Sequence, residues 1–273
     1  MPDRYAVIGN PVAHSKSPEI HALFASETGQ DVEYGRLLAP LDGFDGTVRK
    51  FIEDGGKGLN VTVPFKFDAF NLAMELTSRA KMAGAVNTLA FKDGLIIGDN
   101  TDGAGLVADI TLNAGISLLN SRILLLGAGG AAYGVMLPLL DENPAFIHIA
   151  NRSVEKAEEL AKQFSSFGNT SAFAYDELKE SYDIVINATS AGLSNAMPPV
   201  SRNIFADNAL ALDMVYADRP TPFMQFAQQG GVKVRDGFGM LVEQAAESFF
   251  VWRGVKPQTR PVFSHFGREE CRK

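Results

Sequence analysis

The chain has 273 residues, 46% of them apolar and 21% charged, ordinary globular usage that excludes a disordered, collagen-like or disulfide-stapled chain. At about 150 residues per domain, that length points to two domains, each with a sizeable core. Lys and Arg number 25 against 32 Asp and Glu, a formal net charge of −7; a chain so acidic lacks the field that would hold it on nucleic acid or an anionic membrane, and any anionic ligand must be met by local donors.

Met1-Pro2-Asp3-Arg4 runs directly into an apolar strand at residues 5–9. No basic region with a long apolar stretch comes before it, so no secretory signal is expected. No apolar run approaches the roughly 18 residues that would span a bilayer. The single cysteine, Cys271, can form neither an internal disulfide nor a cysteine-rich metal site, and the four histidines (14, 21, 148 and 265) lack metal-ligand spacing. A reducing cytoplasm is the expected compartment, with no metal. His14, next to Ser15 and Ser17, either lines a site or is an ordinary loop residue, the commoner case.

Further strands are expected at 32–38, 58–63, 85–91 and 95–98. Ser17-Pro18 opens a helix, with Ser17 as N-cap and Pro18 at the first helical position. Ile20, Leu23 and Phe24 follow at helical spacing. In the segment 58–66, alternation puts Asn60 and Thr62 on one face and Leu59, Val61 and Val63 on the other. If strand geometry continues past Pro64, Lys66 lies near the polar face and the strand walls a site for a polyhydroxylated ligand. Taken alone, a half-exposed strand with a surface lysine is the simpler account. The segment Gly98-Asp99-Asn100-Thr101-Asp102-Gly103 is rich in turn formers, and Asp102 could simply cap a helix beginning near Gly103.

From residue 122 the pattern becomes stricter. Ile123-Leu124-Leu125-Leu126 is an unbroken apolar strand, as in a parallel sheet covered on both faces. Strands at 146–151, 171–175, 183–187, 209–215 and 232–235, with helices such as 154–164 and 222–228 between them, make a doubly wound α/β sheet. The helix 240–252 carries Leu241, Ala245, Ser248, Phe249 and Trp252 on one face and could return to the first domain. Internal packing is expected for Trp252 and for Phe249 and Phe250. The domains are therefore 1–103 with 239–273, and 104–238.

Gly127-Ala128-Gly129-Gly130-Ala131-Ala132 stands between the strand 123–126 and a helix. Gly127 permits the tight turn, Gly129 lets the backbone approach a pyrophosphate, and the helix N-terminus supplies donors. The alternative is a glycine-rich turn with no ligand. The next strand ends in Asn151-Arg152-Ser153, without the acid that takes both ribose hydroxyls of NAD. Asn151 can bond the ribose, and Arg152, aided by Lys156 one turn on, can pair with a 2′-phosphate, which favours NADP. Otherwise Arg152 is a solvated residue and Ser153 an N-cap.

Together these segments resemble the shikimate dehydrogenase family. The resemblance runs from Val7-Ile8-Gly9-Asn10-Pro11 and Ser15-Lys16-Ser17-Pro18, through Asn60 to Lys66, Gly84 to Thr88, Gly98 to Gly103, Gly127 to Ala131 and Asn151-Arg152-Ser153. It continues through Asn187-Ala188-Thr189-Ser190-Ala191-Gly192 and Asp213-Met214-Val215-Tyr216 to the segment Asp236 to Gln244. Matches in order over nearly the whole chain are far more specific than any one of them.

The resemblance implies an N-terminal α/β substrate domain, a doubly wound Rossmann NADP-binding domain and a C-terminal helix returning to the first. It implies NADPH-dependent reduction of 3-dehydroshikimate to shikimate, reversibly, by a monomer or homodimer. Ser15 and Ser17 would bind the substrate carboxylate, and Asn60, Thr62, Asn87, Asp102, Tyr216 and Gln244 would surround the ring and its hydroxyls. Lys66 and Asp102 would be the catalytic pair, with Lys66 as general acid/base or as a positioning group. Gly127, Ala128, Gly129, Gly130, Ala131, Asn151, Arg152, Ser153, Lys156, Thr189, Met214 and Gly237 would hold NADP. Ala132-Tyr133 replaces a small hydroxyl residue common in the family, and Ser153 and Lys156 stand where Thr and Arg are frequent. The nearest alternative is a quinate/shikimate dehydrogenase with broader substrate and NAD use. A methyltransferase would leave Arg152 and the whole first domain unexplained, and a ligand sensor would be expected to have lost Lys66 and Asp102.

Overall fold

The computed structural model describes residues 1–268 except 190, 192–195 and 218. Ser190, Gly192 and Cys271, singled out above, lie outside the described residues. The chain divides into two units, Met1–Leu106 with Val242–Lys273 and Val107–Leu241.

The first unit contains β1 (Asp3–Gly9), α1 (Ser17–Thr28), β2 (Val32–Leu38), α2 (Phe44–Glu53), β3 (Gly56–Val61) and α3 (Lys66–Leu72). It continues with β4 (Glu75–Leu76), α4 (Ser78–Ala83), β5 (Thr88–Lys92), β6 (Leu95–Asp99) and α5 (Asp102–Ala108), whose end passes into the second unit. The six strands form one mixed sheet in the order β2-β1-β3-β5-β6-β4, with β1 parallel to both β2 and β3 and β5 antiparallel to β3 and β6. Ile8, Leu59 and Leu89, all fully buried, and Phe44, Val48, Phe51 and Phe65 build its core.

Three local expectations are corrected. Lys16, not Ser17, precedes the first helical residue of α1, without a side-chain cap. The polar support comes from one residue earlier still, where Ser15 Oγ accepts the Ser17 N–H at 3.2 Å. Strand β3 is displaced two residues towards the N-terminus and ends at Val61, so Lys66 is not on a strand but opens α3. The strand expected at 85–91 starts only at Thr88, because Gly84, at φ 59°, ends α4 and residues up to Asn87 form the turn.

The second unit holds β7 (Arg122–Leu126), α6 (Gly130–Asp141), β8 (Phe146–Ala150), α7 (Val154–Phe164) and β9 (Thr170–Phe173). After these come β10 (Tyr182–Asn187), β11 (Phe205–Asp213), α8 (Pro222–Gln228) and β12 (Lys233–Arg235). Its sheet runs β12-β11-β10-β7-β8-β9 with all neighbours parallel, the doubly wound order that reverses at β7. Ile123, Leu124, Leu125 and Leu126 are all fully buried, which is why that strand is apolar without alternation. Helix α7 buries Ala157, Leu160, Ala161 and Phe164, a single stripe at helical spacing.

Helix α9 (Phe238–Arg253) belongs from Val242 onward to the first unit. Trp252 stacks on Tyr5 at 4.6 Å and its indole N–H donates to Leu89 O at 3.0 Å. A Cβ on Gly58 would lie 2.5 Å from the indole nitrogen, so only glycine admits the helix this close to β3. Phe249 is buried, whereas Phe250 is exposed. The remaining α-helix among the described residues is α10 (Arg260–His265). Among the described residues no helix is long and apolar enough to cross a membrane.

Under β2 and α9, His21 is fully buried, stacked on Tyr34 at 4.1 Å with planes 5° apart and ringed by Phe24, Phe249 and Trp252. Neither ring nitrogen has a hydrogen-bond partner among the described residues. Burial lowers its pKa to about 3, the Asn60 side chain opposing only in part. The unfolded chain takes up this proton near 6.5, so its stabilising effect is complete above that pH and is lost as pH falls towards 3. Denaturant melts should show the wild type losing about 1.4 kcal/mol per pH unit below pH 6 relative to His21→Phe.

Candidate active site

In the first unit, β3, the start of α3, the turn before β5, the β6–α5 connection and α9 bring five of the expected substrate-side residues into one hydrogen-bonded set. Asn87 is its centre. Its Oδ1 accepts the Thr101 backbone N–H at 2.8 Å and the Thr88 hydroxyl at 2.9 Å. Its Nδ2 donates to Asp102 Oδ1 at 2.8 Å and to Thr101 Oγ1 at 2.9 Å, with Gln244 Oε1 more distant at 3.2 Å. Lys66 Nζ donates to the other oxygen, Asp102 Oδ2, at 2.5 Å. The Lys66 side chain retains 28% exposure and Asp102 10%, so the pair is sheltered yet reachable.

Asp102 is held by more than Asn87. Its N–H donates to Asn100 Oδ1, and Asn100 Nδ2 anchors the turn to Ala85 O at 3.0 Å. One residue before that, buried Asp99 receives Arg79 at 2.6 and 2.7 Å and the Thr77 hydroxyl at 2.6 Å. Burial alone would raise the Asp99 carboxyl, but the bonds from Arg79 and Thr77 outweigh it and hold the pKa below the usual range. The charge clamp at Asp99 therefore fixes the backbone that presents Asp102.

Asn60, buried near the end of β3, donates from Nδ2 to Ser248 Oγ at 2.9 Å and Thr88 Oγ1 at 3.2 Å, while its Oδ1 accepts the Tyr34 hydroxyl at 2.7 Å. Thr62 follows two residues on, and its methyl group lies against Gly9, where a Cβ would be only 2.4 Å away. Ser17 is buried, and its side chain partly offsets the rise that burial imposes on the Tyr34 phenol. Arg36 Nη2 donates to Ser15 O at 2.6 Å and ties that loop to β2. Tyr34, Arg36, Thr88, Thr101 and Ser248 were not among the expected site residues. Ser248 had a signal as a hydroxyl on the inward face of α9, and Thr88 and Thr101 lay within two of the segments that carry the resemblance.

The structure places the expected cofactor residues, together with Tyr216, in the second unit. Gly127 has φ +110°, and a Cβ there would lie 3.1 Å from Thr189 Cγ2 and 3.2 Å from the Ala188 carbonyl carbon. Glycine is thus required where the loops after β7 and β10 meet. A Cβ on Gly129 would meet nothing within 4 Å, so the space over the start of α6 is open, and no described side chain caps that helix. Thr189 is fixed by its hydroxyl on Asn187 Oδ1 at 2.7 Å, and Asn187 Nδ2 donates to Asp213, which also accepts the Thr221 hydroxyl at 2.7 Å. Burial raises the Asp213 pKa. Gly237 approaches Met214 so closely that a Cβ would sit 2.1 Å from its carbonyl oxygen.

Beside this cradle, at the end of β8, Arg152 and Lys156 are exposed. Asn151 Nδ2 donates to Ser153 O at 2.9 Å, and Ser153 starts α7 without capping it, its hydroxyl donating instead to Glu155 at 2.8 Å. An open glycine turn at the point of strand-order reversal, with two exposed cations and no acid at the end of β8, fits a dinucleotide carrying a 2′-phosphate. Among the described residues no group of three His, Cys, Asp or Glu side chains is placed to hold a metal.

Comparison with known proteins agrees with this division. Residues 7–89 match the family described as shikimate dehydrogenase substrate binding domain, 109–196 shikimate / quinate 5-dehydrogenase, and 237–262 the shikimate 5′-dehydrogenase C-terminal domain. The chain is 59% identical over 261 residues to a shikimate dehydrogenase (NADP(+)) of Janthinobacterium sp. (strain Marseille), covering 96% of each chain. Among solved structures it resembles an Ael1 enzyme from Pseudomonas putida, at 47% identity and TM-score 0.91 over 96% of this chain and 97% of that one. It also resembles the Thermus thermophilus shikimate 5-dehydrogenase in complex with NADP(H) and shikimate, at 31% identity and TM-score 0.85 over 98% of both chains. With its glycine cradle, its lysine–aspartate pair and these relatives, the chain belongs to the shikimate dehydrogenase family.

Proposed function

We propose that the chain reduces 3-dehydroshikimate to shikimate with NADPH, reversibly, and that Lys66 and Asp102 are its catalytic pair. The observation that carries this is the 2.5 Å bond from Lys66 Nζ to Asp102, set in the same buried network as Asn60, Asn87 and Gln244. The Gly127 turn, with Arg152 and Lys156 at the 2′-phosphate, would hold NADPH, whose chemistry there would be hydride donation to the ketone carbon.

The chain's own residues handle position and proton. The ketone oxygen gains negative charge as its carbon is reduced and needs one proton to become the alcohol. Lys66, as ammonium, donates that proton and is reprotonated from solvent, to which its side chain remains partly open. Asp102 receives donors on both oxygens, from Asn87 and from Lys66, as a carboxylate does, and so aims the lysine without itself giving up a proton. The Ser15 and Ser17 hydroxyls bind the substrate carboxylate. Asn60, Thr62, Asn87 and Gln244 orient its ring. In the oxidative direction the same lysine, neutral, accepts the alcohol proton.

Quinate with NAD is the second reading, since one matched family is described as shikimate / quinate 5-dehydrogenase. Quinate carries an additional hydroxyl on the carbon bearing the carboxylate, so the Ser15 and Ser17 corner decides between them. Initial rates with shikimate or quinate against NADP or NAD separate the two: turnover is expected with shikimate and NADP. Equal rates on quinate, or a preference for NAD, would establish the second reading. Lys66→Met should lower kcat by about 10²–10⁴-fold with circular dichroism unchanged; a kcat within threefold of wild type would remove Lys66 from the chemistry.

A further inference from the structure

The proposed substrate contact at Asn60 has a polarity that the hydrogen-bond network decides. An amide can turn either its oxygen or its nitrogen towards a ligand, and the two present opposite recognition. Ser248 settles which. Its hydroxyl lies 2.9 Å from the Gln244 carbonyl oxygen, which can only accept, and Thr88 Oγ1 at 2.9 Å and Thr101 Oγ1 at 3.1 Å also face it, so its one proton is spent on these neighbours. Towards Asn60, also at 2.9 Å, Ser248 must then act as acceptor, and the amide atom facing it is Nδ2. The opposite atom, Oδ1, faces the Tyr34 hydroxyl at 2.7 Å, and that hydroxyl must donate.

This accounting leaves Asn60 with little to offer a ligand. Both Nδ2 protons are taken by Ser248 Oγ and Thr88 Oγ1, with Asn87 O more distant at 3.5 Å. Tyr34 occupies one lone pair of Oδ1 and one remains. Strand β2 holds the Tyr34 ring half-buried, and its stacking on His21 at 4.1 Å fixes the ring plane. The phenol oxygen is consequently delivered to Asn60 by a packed ring rather than by a mobile side chain.

We propose that Tyr34 is a positioning residue for substrate selection: with Ser248 fixing which way the amide faces, the Tyr34 hydroxyl holds Asn60 Oδ1 in place as the atom that accepts from a ring hydroxyl of the substrate, so that an analogue lacking that hydroxyl is rejected. The proposal rests on the shikimate reading above and deepens it. It concerns a residue that touches Asn60 and not the reacting atoms. A site built around a substrate hydroxyl leaves its own polar group unpaired when that hydroxyl is missing, and this is the source of the discrimination.

Tyr34→Phe removes only the hydroxyl and keeps the stacked ring. The dissociation constant for shikimate should rise about 10-fold, and the preference for shikimate over its ring-deoxy analogues should shrink by a similar factor. KM for NADP should stay near wild type and circular dichroism should show a folded chain, which a general structural lesion would not allow. In an Asn60→Ala background, or Asn60→Ser if that variant does not fold, the same Tyr34→Phe change should alter shikimate affinity less than twofold. Unchanged affinity and selectivity in Tyr34→Phe, or an equal loss in both backgrounds, would overturn the proposal. Wild-type turnover of shikimate in the same assay tests the underlying reading separately, so failure of one is distinguishable from failure of the other.

Discussion

Asn87 presents its carbonyl oxygen to the Thr101 backbone N–H and its amide nitrogen to Asp102, each at 2.8 Å, from a position almost sealed from solvent. A backbone N–H can only donate, so the orientation of this amide is forced, and with it the demand that Asp102 accept. Lys66, Gln244 and Ser248 are arranged around that fixed direction. Lys66 takes the free carboxylate oxygen, Gln244 lies across the same amide, and Ser248 couples the set to Asn60. Such a network is costly to leave half-paired in a low-dielectric interior, and fully paired it holds one geometry.

The second unit achieves precision by different means. Its cradle depends on what is missing from the side chains: Gly127 and Gly237 bring backbone against backbone where any Cβ would collide, and Gly129 leaves open space. Gly239 belongs to the same set, since a Cβ there would fall 1.8 Å from Asp109 Oδ1. That carboxylate is fully buried and gripped by Arg235 at 2.5 and 3.1 Å, which ties the end of β12 to the helical turn after α5. Arg152 and Lys156, the cations proposed to meet the 2′-phosphate, are exposed at the surface.

Legibility in the sequence followed the range of the interactions. The helix at 154–164 and the strand at 32–38 were bounded correctly, because a local stripe or alternation defines them. The doubly wound order followed from strands and crossovers of ordinary length. Lys66 shows where local reasoning stops. Its place beside Asp102 comes from β3 ending at Val61 and the chain turning into α3, not from a continued strand. Lys66 and Asp102 are 36 residues apart, and only the folded sheet joins them. Tyr34 was invisible for a related reason: within β2 it is one more aromatic strand residue until β3 sets Asn60 against its hydroxyl. Family resemblance supplied the list of site residues, and the hydrogen bonds supplied their donor and acceptor roles.

In the proposed mechanism the negative charge of Asp102, bonded to Lys66 Nζ at 2.5 Å, is what aims the lysine. Asp102→Asn is the sharpest probe, since it keeps the shape and one acceptor oxygen while removing the charge. Steady-state rates and shikimate affinity measured alongside circular dichroism should show a folded chain that binds shikimate within a few-fold of wild type, with kcat lowered about 100-fold or more. A folded variant turning over at near wild-type rate would contradict the account, leaving Lys66 to work without the carboxylate.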